Sequence, residues 1–173
     1  NPKTTINAAL TAKYGAGDWV LWSGEPNLYL NEELVTQKKL DIAEVEKTAA
    51  DAVIKMESQY YAFTRTDIMA GRLPQWLWTP MVYNGFHPKI CGNLLLIDNP
   101  GWYNGGGTGT GHGTPWQYDS HVPVVLRGPG ITKGWYSRTV GVTDIAPTIS
   151  QILGIEYPTG CVGHPLREAI DKK

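Results

Sequence analysis

The sequence predicts a domain of the α/β or α+β class, in which helices cover most of a sheet. Segments of strand composition alternate with segments of helical periodicity along the chain, which is typical of a sheet packed against helices. Two apolar runs, within residues 92–99 and 122–127, lack the polar alternation of a half-exposed strand. We therefore expect both runs to be buried strands and neighbours in one sheet. Apolar residues make up 42% of the 173 residues, enough for a sizeable core.

The first segments predict one helix followed by two strands. Residues 3–14 have helical composition, and Gly15 and Gly17 would end that helix. Residues 18–24 and 27–31 are rich in the aromatic and aliphatic side chains that are common in strands.

Two further helices are predicted after these strands. Asn31 can cap the first, which carries Glu32 and Glu33 near the positive end of its dipole. Asp41 can cap the second, over residues 42–58, where apolar side chains recur at helical spacing. We expect the charged residues of this second helix to form a solvated face.

The middle of the chain predicts shorter elements. Residues 60–73 have the composition of a strand that leads into a short helix from Thr66. Three prolines interrupt residues 74–91, so only a short helix around 79–85 is expected there.

A last helix is predicted over residues 144–153. Thr143 or Asp144 can cap it, Pro147 falls in its first turn, where proline is tolerated, and Gly154 can end it. Its apolar side chains on one side are Ile145, Ile149, Ile152 and Leu153. We expect that side to pack on the sheet.

Charge and composition limit the classes of partner. The formal net charge is −1, from 15 basic and 16 acidic residues, which does not favour nucleic acid or an anionic membrane. No apolar run approaches the ~18 residues of a membrane span, and the first residues have the composition of a mature or trimmed start. Cys91 and Cys161 are too few for a disulfide scaffold. Two independent buried thiols are favoured, and a single bridge is the alternative.

Residues 109–131, GTGHGTPWQYDSHVPVVLRGPGI, contain the residues most typical of a site. His112 lies between two glycines, so the backbone can take unusual dihedral angles and another group can approach closely. A neutral imidazole there could ligate zinc, but zinc needs three or four protein ligands. Composition alone predicts a mobile surface loop over residues 105–111, with His112 as a turn residue.

Asp119 and His121 admit two interpretations. They could be a second ligand pair, or Asp119 could order the loop while His121 leads into the following strand. Their spacing favours the structural role. His87 and His164 each precede a proline and are expected in extended or turn segments. The chain contains no G-x-S-x-G, H-E-x-x-H or C-x-x-C motif, and its glycine-rich run is not a phosphate loop.

The motifs G-T-x-H-G, Y-D-x-H-V-P, G-x-G-I and D-I-A-P-T follow one another within residues 109–148. With the earlier segment NGFHPKICGNLLLIDNPGWY, they resemble the C-terminal part of the alkaline phosphatase superfamily. The nearest branch is that of type I phosphodiesterases, nucleotide pyrophosphatases and single-threonine bacterial alkaline phosphatases. The resemblance implies that residues 60–173 are the C-terminal lobe of a three-layer α/β sandwich. Residues 1–59 would then match an inserted cap region.

The resemblance also implies an activity, which is the zinc-dependent hydrolysis of phosphate mono- or diesters by a periplasmic or secreted enzyme. One of two zinc ions would activate a threonine or serine nucleophile, and the other would stabilise the leaving oxygen. His112 would ligate one zinc as the last ligand in chain order, while Asp119 and His121 would order its loop. The implied partners are a phosphate ester and the remainder of the parent chain.

The departures from the family pattern predict a fragment. The nucleophile motif and the other zinc-ligand motifs have no counterpart here, so we expect no catalytic residue, an incomplete zinc site and no activity from this chain alone. Residues 90–93, ICGN, stand where the family usually has a charged residue, Ser-Gly and Asp. One alternative is a noncatalytic module that binds a carbohydrate or a protein, motivated by seven tryptophans and nine tyrosines. Another is an α/β domain in which His112 is only a turn residue.

Overall fold

The computed structural model describes residues 1–24, 26–102, 109 and 111–170 of the chain. Its contacts divide the chain into two units, residues 1–121 and residues 122–173, and each is described by itself. Most of the glycine-rich loop predicted to be mobile, residues 105–108 and 110, lies outside the described residues.

The first unit combines a sheet with helices, as the sequence predicts. Its strands are β1 (Val20–Gly24), β2 (Asn27–Leu30), β3 (Gln59–Thr64) and β4 (Leu94–Asp98). Its helices are α1 (Pro2–Tyr14), α2 (Glu32–Gln37), α3 (Ile42–Val53), α4 (Arg65–Met69), α5 (Thr79–Gly85) and α6 (Gln117–Ser120). The mixed α/β class and the short helix around 79–85 are confirmed.

The four strands form one antiparallel sheet in the order β1-β2-β4-β3. Strand β4 is central, with Leu94 opposite Leu28 of β2 and Leu95 opposite Phe63 of β3. All five residues of β4 are buried. The apolar run at 92–99 is therefore the buried strand that the sequence predicts.

Strand β4 is apolar because both faces of the sheet are covered. Leu94 and Leu96 belong to a cluster with Ile6 and Leu10 of α1 and Val45 of α3. The alternate residues of β4 point the other way. Leu95 and Ile97 belong to a second cluster, with the members Phe63, Ile68, Leu73 and Val82 and with tryptophan side chains at its margin. A polar side chain at any of these β4 positions would lose its hydration on folding without gaining a hydrogen-bond partner.

Helix starts follow the predicted caps. The Asn31 side chain accepts a hydrogen bond from the Leu34 amide at 3.0 Å, and the Asp41 side chain accepts one from the Ala43 amide at 2.9 Å. Helix α3 ends at Val53, five residues short of the predicted end, and turn bonds from the Met56 and Gln59 amides follow it.

The predicted solvated face of α3 is wrong at Glu46, which is fully buried. Its carboxylate accepts hydrogen bonds from the Thr66 amide at 2.9 Å and from the Asn93 side chain at 3.2 Å, and Arg65 Nε lies 3.7 Å away. Thr66 and Arg65 lie at the start of α4, and Asn93 immediately precedes β4. A buried carboxylate is tolerated here because donors replace its hydration.

Asn93 connects this buried carboxylate to the sheet. Its amide nitrogen also donates to Glu32 at 2.9 Å, and its oxygen accepts from the Leu30 amide at 2.9 Å. Burial would raise the pKa of Glu32, but the hydrogen bonds from Asn93 and Arg65 outweigh it and lower that pKa. Asn93, which stands where the resemblance leads one to expect an aspartate, thus carries an amide that donates to two carboxylates.

The second unit contains the helix α7 (Ile145–Leu153), two short 3-10 turns at Val142–Asp144 and Arg167–Ala169, and an isolated bridge between Ile131 and Ile170. Gly154 is left-handed at φ 66° and ends α7, as predicted. The Asp144 carboxylate does not cap α7. It accepts from the Gly141 amide at 3.0 Å and the His164 amide at 2.8 Å, and those two bonds lower its pKa.

The strand predicted at residues 122–127 is wrong, because these residues form no strand and Val122 and Val125 are exposed. An apolar run becomes a strand only where another strand takes up its backbone groups. No strand in the described part of the chain pairs with this run. The apolar side predicted for α7 is only partly covered, since Ile145 and Ile152 are half-buried whereas Ile149 is 45% and Leu153 is 63% exposed.

Two smaller predictions concern thiols and membranes. Cys91 and Cys161 are free and half-buried. None of the helices in the described ranges has the length and apolar character that crossing a bilayer requires.

Candidate metal-binding loop

The loop around His112 is tied to the end of the central strand. Trp116, which precedes α6, donates from its indole nitrogen to the Asp98 carbonyl at 2.9 Å, where β4 ends. Its ring meets Tyr60 edge-to-face at 4.9 Å between centroids. The Tyr118 hydroxyl of α6 accepts from the Gly101 amide at 3.0 Å. Helix α6 therefore keeps a defined position relative to the sheet.

Asp119 on α6 gathers the polar groups of the loop. Its Oδ2 accepts from the Gly113 amide at 2.8 Å, the Thr114 amide at 2.7 Å and the Thr114 hydroxyl at 3.0 Å. Its Oδ1 lies 2.7 Å from His112 Nδ1. The Asp119 side chain is only 7% exposed, whereas the His112 side chain is 83% exposed.

The Asp119 carboxylate is ionised in this arrangement. The hydrogen bond from the His112 ring, followed by that from the Thr114 amide, holds the pKa of Asp119 far below its ordinary value of 3.8. An ionised carboxylate only accepts, so His112 Nδ1 must carry the proton of the pair. In the neutral tautomer that has its proton on Nδ1, Nε2 carries the lone pair, and the side chain is largely exposed.

The turn that follows His112 requires glycine. Gly113 has φ 116°, in the region that side chains with a Cβ rarely adopt, and nothing lies within 4 Å of the place where a Cβ would stand. The constraint is therefore conformational rather than steric. With Gly113 in this conformation, its amide and the Thr114 amide both point at one oxygen of Asp119.

The other predicted candidates do not join this cluster. His121 is exposed, and its ring makes no hydrogen bond to a described residue, although its backbone amide closes α6 onto Gln117. His87 and His164 are exposed. Within the described ranges, no group of three or more His, Cys, Asp or Glu side chains is arranged to hold a metal ion.

Sequence reasoning did not find two features of the loop. The contacts of Thr114 with Asp119, and the bond of Trp116 to the end of β4, have no local signature. The Glu46–Asn93 pair is a third such feature, since its partners are 47 residues apart.

Comparison with known proteins gives a consistent pattern. No protein-family model matches the chain. A Myroides odoratus protein named calcium-transporting ATPase is 34% identical over 169 residues, which is 96% of this chain and 31% of that protein. Alkaline phosphatase PafA of Elizabethkingia meningoseptica is 29% identical over 171 residues, which is 98% of this chain and 31% of that protein. The crystal structure of wild-type PafA superposes with a TM-score of 0.87 at 29% identity, covering 98% of this chain and 32% of that one.

The fold is thus that of the C-terminal part of the PafA structure, and the chain's relatives include alkaline phosphatases of the PafA and PhoV type. The chain spans about a third of the length of the curated relatives it matches. The predicted division into an insert-like region 1–59 and a phosphatase lobe 60–173 stays a prediction.

Proposed function

We propose that this chain is the C-terminal segment of a zinc-dependent hydrolase of phosphate esters, exported to the periplasm or secreted, in which His112 supplies one zinc ligand. The observation that carries the proposal is the His112–Asp119 pair, which engages Nδ1 of an otherwise exposed imidazole in a chain that folds like part of an alkaline phosphatase. The rest of the proposed site lies in the remainder of the parent chain.

The chemistry of the loop fits a zinc ligand. Zinc-bound histidines usually donate their second ring nitrogen to a carboxylate, which fixes the tautomer and raises the basicity of the ligating nitrogen. Asp119 fills that role toward His112 at 2.7 Å. When bound, zinc would supply Lewis acidity to the phosphoryl oxygens and the nucleophile. His112 would hold the ion through Nε2, and Asp119 would hold His112 through Nδ1.

The same geometry implies that the chain alone is inactive. One imidazole leaves three of four zinc positions to water, so affinity is weak. The segment offers a positioned ligand, not a catalytic centre. We propose no catalytic residue within these 173 residues, and no loop role for the His121 ring.

The noncatalytic binding module has less support. It was motivated by the tryptophan and tyrosine content, but many of these rings pack on one another. Tyr60, Trp76, Trp78 and Trp116 form a chain of ring contacts with centroids 4.8–6.3 Å apart. Their area therefore serves the packing of β3 and the loop segments more than an open binding face.

The test uses the full-length parent protein, whose reading frame includes this chain. We expect His112→Ala to lower bound zinc by about one ion per chain and to cut turnover of p-nitrophenyl phosphate and its bis-ester by at least ~100-fold. The melting temperature should change little, because the His112 side chain is 83% exposed and packs on little else.

His164→Ala is the matched control, because His164 is also exposed but has no carboxylate partner for its ring among the described residues. It should keep both zinc and turnover. Full zinc content and full turnover in His112→Ala would show that His112 is a turn residue. Robust turnover by the 173-residue chain with added zinc would overturn the proposed inactivity of the segment.

A further inference from the structure

A pocket of about 400 Å³ lies beside helix α5 in the first unit. Its volume falls within the range of ~300–1,000 Å³ that is usual for small-molecule sites. Two segments line it, which are residues 75–77 before α5 and residues 79, 80, 83 and 84 on α5. Positions 80, 83 and 84 are three and four residues apart, so they share one face of the helix.

The lining of this pocket contains no charged side chain. An anion that entered it would lose hydration without meeting a cation, which is costly. The pocket therefore does not suit a phosphate ester, and its chemistry favours a neutral ligand.

Three polar groups of the pocket have no partner in the described ranges. The amides of Gln75 and Asn84 and the hydroxyl of Tyr83 make no hydrogen bond to any residue there. Each of these groups can both donate and accept. They come from both segments that border the pocket, so a ligand with hydroxyl groups around its perimeter could pair with all three.

Aromatic rings supply the rest of the contact surface. Trp76 is half-buried, and its ring lies 5.0 Å from Tyr61 and 4.8 Å from Trp78 between centroids. Its backbone amide donates to the hydroxyl of the buried Thr79 at 3.1 Å. Trp76 is thus fixed before a ligand arrives, which lowers the entropic cost of binding. Tyr83, which is 38% exposed, adds a second ring.

We propose that this pocket binds a neutral carbohydrate. The face of an aromatic ring is negative and attracts the polarised C–H groups on the face of a pyranose, so Trp76 and Tyr83 would contact the sugar ring. Gln75 and Asn84 would pair with its hydroxyl groups. A β-glucopyranoside suits this arrangement, because its equatorial hydroxyls leave C–H groups on both faces. A flat heterocyclic base fits less well, because its hydrogen-bonding groups lie in one plane whereas these partners come from two segments.

The experiment is saturation-transfer difference NMR on the full-length parent protein, with methyl β-D-glucopyranoside and cellotetraose as probes and no phosphate ester present. A ligand of this size at ordinary ligand efficiency should bind with a Kd of about 1 mM. We expect the strongest transfer to the C–H protons on the sugar face. Equal affinity for the two probes would indicate a free sugar, and tighter binding of cellotetraose would indicate a polysaccharide chain; both results support the site.

Variants at the pocket locate the binding. Asn84→Ala and Gln75→Ala should each weaken the affinity for the glucoside by about threefold to tenfold, because each removes one hydrogen-bonding group. Tyr83→Phe should lose less than Tyr83→Ala, because it keeps the ring. Gln151→Ala is the matched control, since Gln151 is an exposed amide on α7 that does not line the pocket. It should leave the affinity unchanged.

The outcomes also separate this site from the proposed function, since binding of a neutral sugar requires neither zinc nor turnover. A parent protein that binds the glucoside through Asn84 but lacks phosphatase turnover would refute the proposed function and leave the carbohydrate site standing. No transfer at about 10 mM glucoside, ten times the expected Kd, would overturn the site. Unchanged affinity in Asn84→Ala, Gln75→Ala and Tyr83→Ala, or tighter binding of adenosine than of the glucoside at this pocket, would also overturn it.

Discussion

Asn93 offers the sharpest test of how the first unit is held together. Asn93→Ala removes two donated hydrogen bonds, to Glu32 at 2.9 Å and to Glu46 at 3.2 Å, and one accepted from the Leu30 amide at 2.9 Å. The three partners belong to α2, α3 and β2, and Asn93 immediately precedes β4. Asn93 and Leu30 are each no more than 3% exposed, so water does not readily replace the lost partners.

The size of the loss follows from what is left behind. An unpaired buried N–H at Leu30 costs about 1–3 kcal/mol. Glu46 keeps its contacts with the Thr66 amide and Arg65. Losing the hydrogen bond from Asn93 to this carboxylate therefore costs about 1–2 kcal/mol, which is at the lower end for a charged group. We therefore expect Asn93→Ala to lower the free energy of unfolding by about 3 kcal/mol, and the melting temperature by roughly 10 °C.

The assay is urea unfolding followed by tryptophan fluorescence, with Asn84→Ala as the matched control. Asn84 is exposed, so its replacement should change stability by less than about 0.5 kcal/mol. A loss below about 1 kcal/mol in Asn93→Ala would refute the reasoning, because it would mean that water or a local shift restores the lost bonds.

A second substitution at this position gives a signed pH dependence. Asn93→Asp would place a third carboxyl beside Glu46 and Glu32, and neighbouring negative charge raises the pKa of the added group in the folded state. Its destabilisation is then present at pH values above the raised folded pKa and is relieved as pH falls below it. The variant should be further below the wild type at pH 8 than at pH 5. Equal deficits at both pH values would contradict this.

Two further predictions concern the His112 loop. The amide resonances of Gly113 and Thr114 should report a carboxyl titration centred below pH 3.8, because the pKa of Asp119 is lowered. The stabilisation from the loop hydrogen bonds is therefore complete above pH 3.8 and is lost as pH falls below it. Asp119→Asn should abolish this titration, and a midpoint at or above pH 3.8 would contradict the geometry. Trp116→Phe should cost about 1 kcal/mol and speed amide exchange at Thr114, because it removes the bond to the Asp98 carbonyl; Trp135→Phe, at a residue 93% exposed, is the control and should do neither.

Where sequence prediction succeeded, the determining interactions are local. Asn31 and Asp41 cap helices through amides two or three residues away, and Gly154 ends α7 through its own backbone angle. Strand β4 was predictable for a related reason, because a continuous apolar run needs cover on both faces and the chain supplies it.

Prediction failed where the deciding contacts are not local in sequence. Glu46 was assigned to a solvated face from its helical position, but Thr66 and Asn93 decide its burial. Residues 122–127 have the composition of a buried strand and are exposed, because a strand needs a second strand and composition does not provide one.

The candidate site shows the same division. The sequence by itself determined that a histidine flanked by glycines precedes an aspartate by seven residues, and that this run resembles the metal-binding end of a phosphatase lobe. Only the tertiary structure decided that Asp119 holds His112 by Nδ1, and that Trp116 attaches this pair to the end of β4. Glycine permits many loop paths at little cost, so the path taken is decided by hydrogen bonds between groups that the sequence does not order in space.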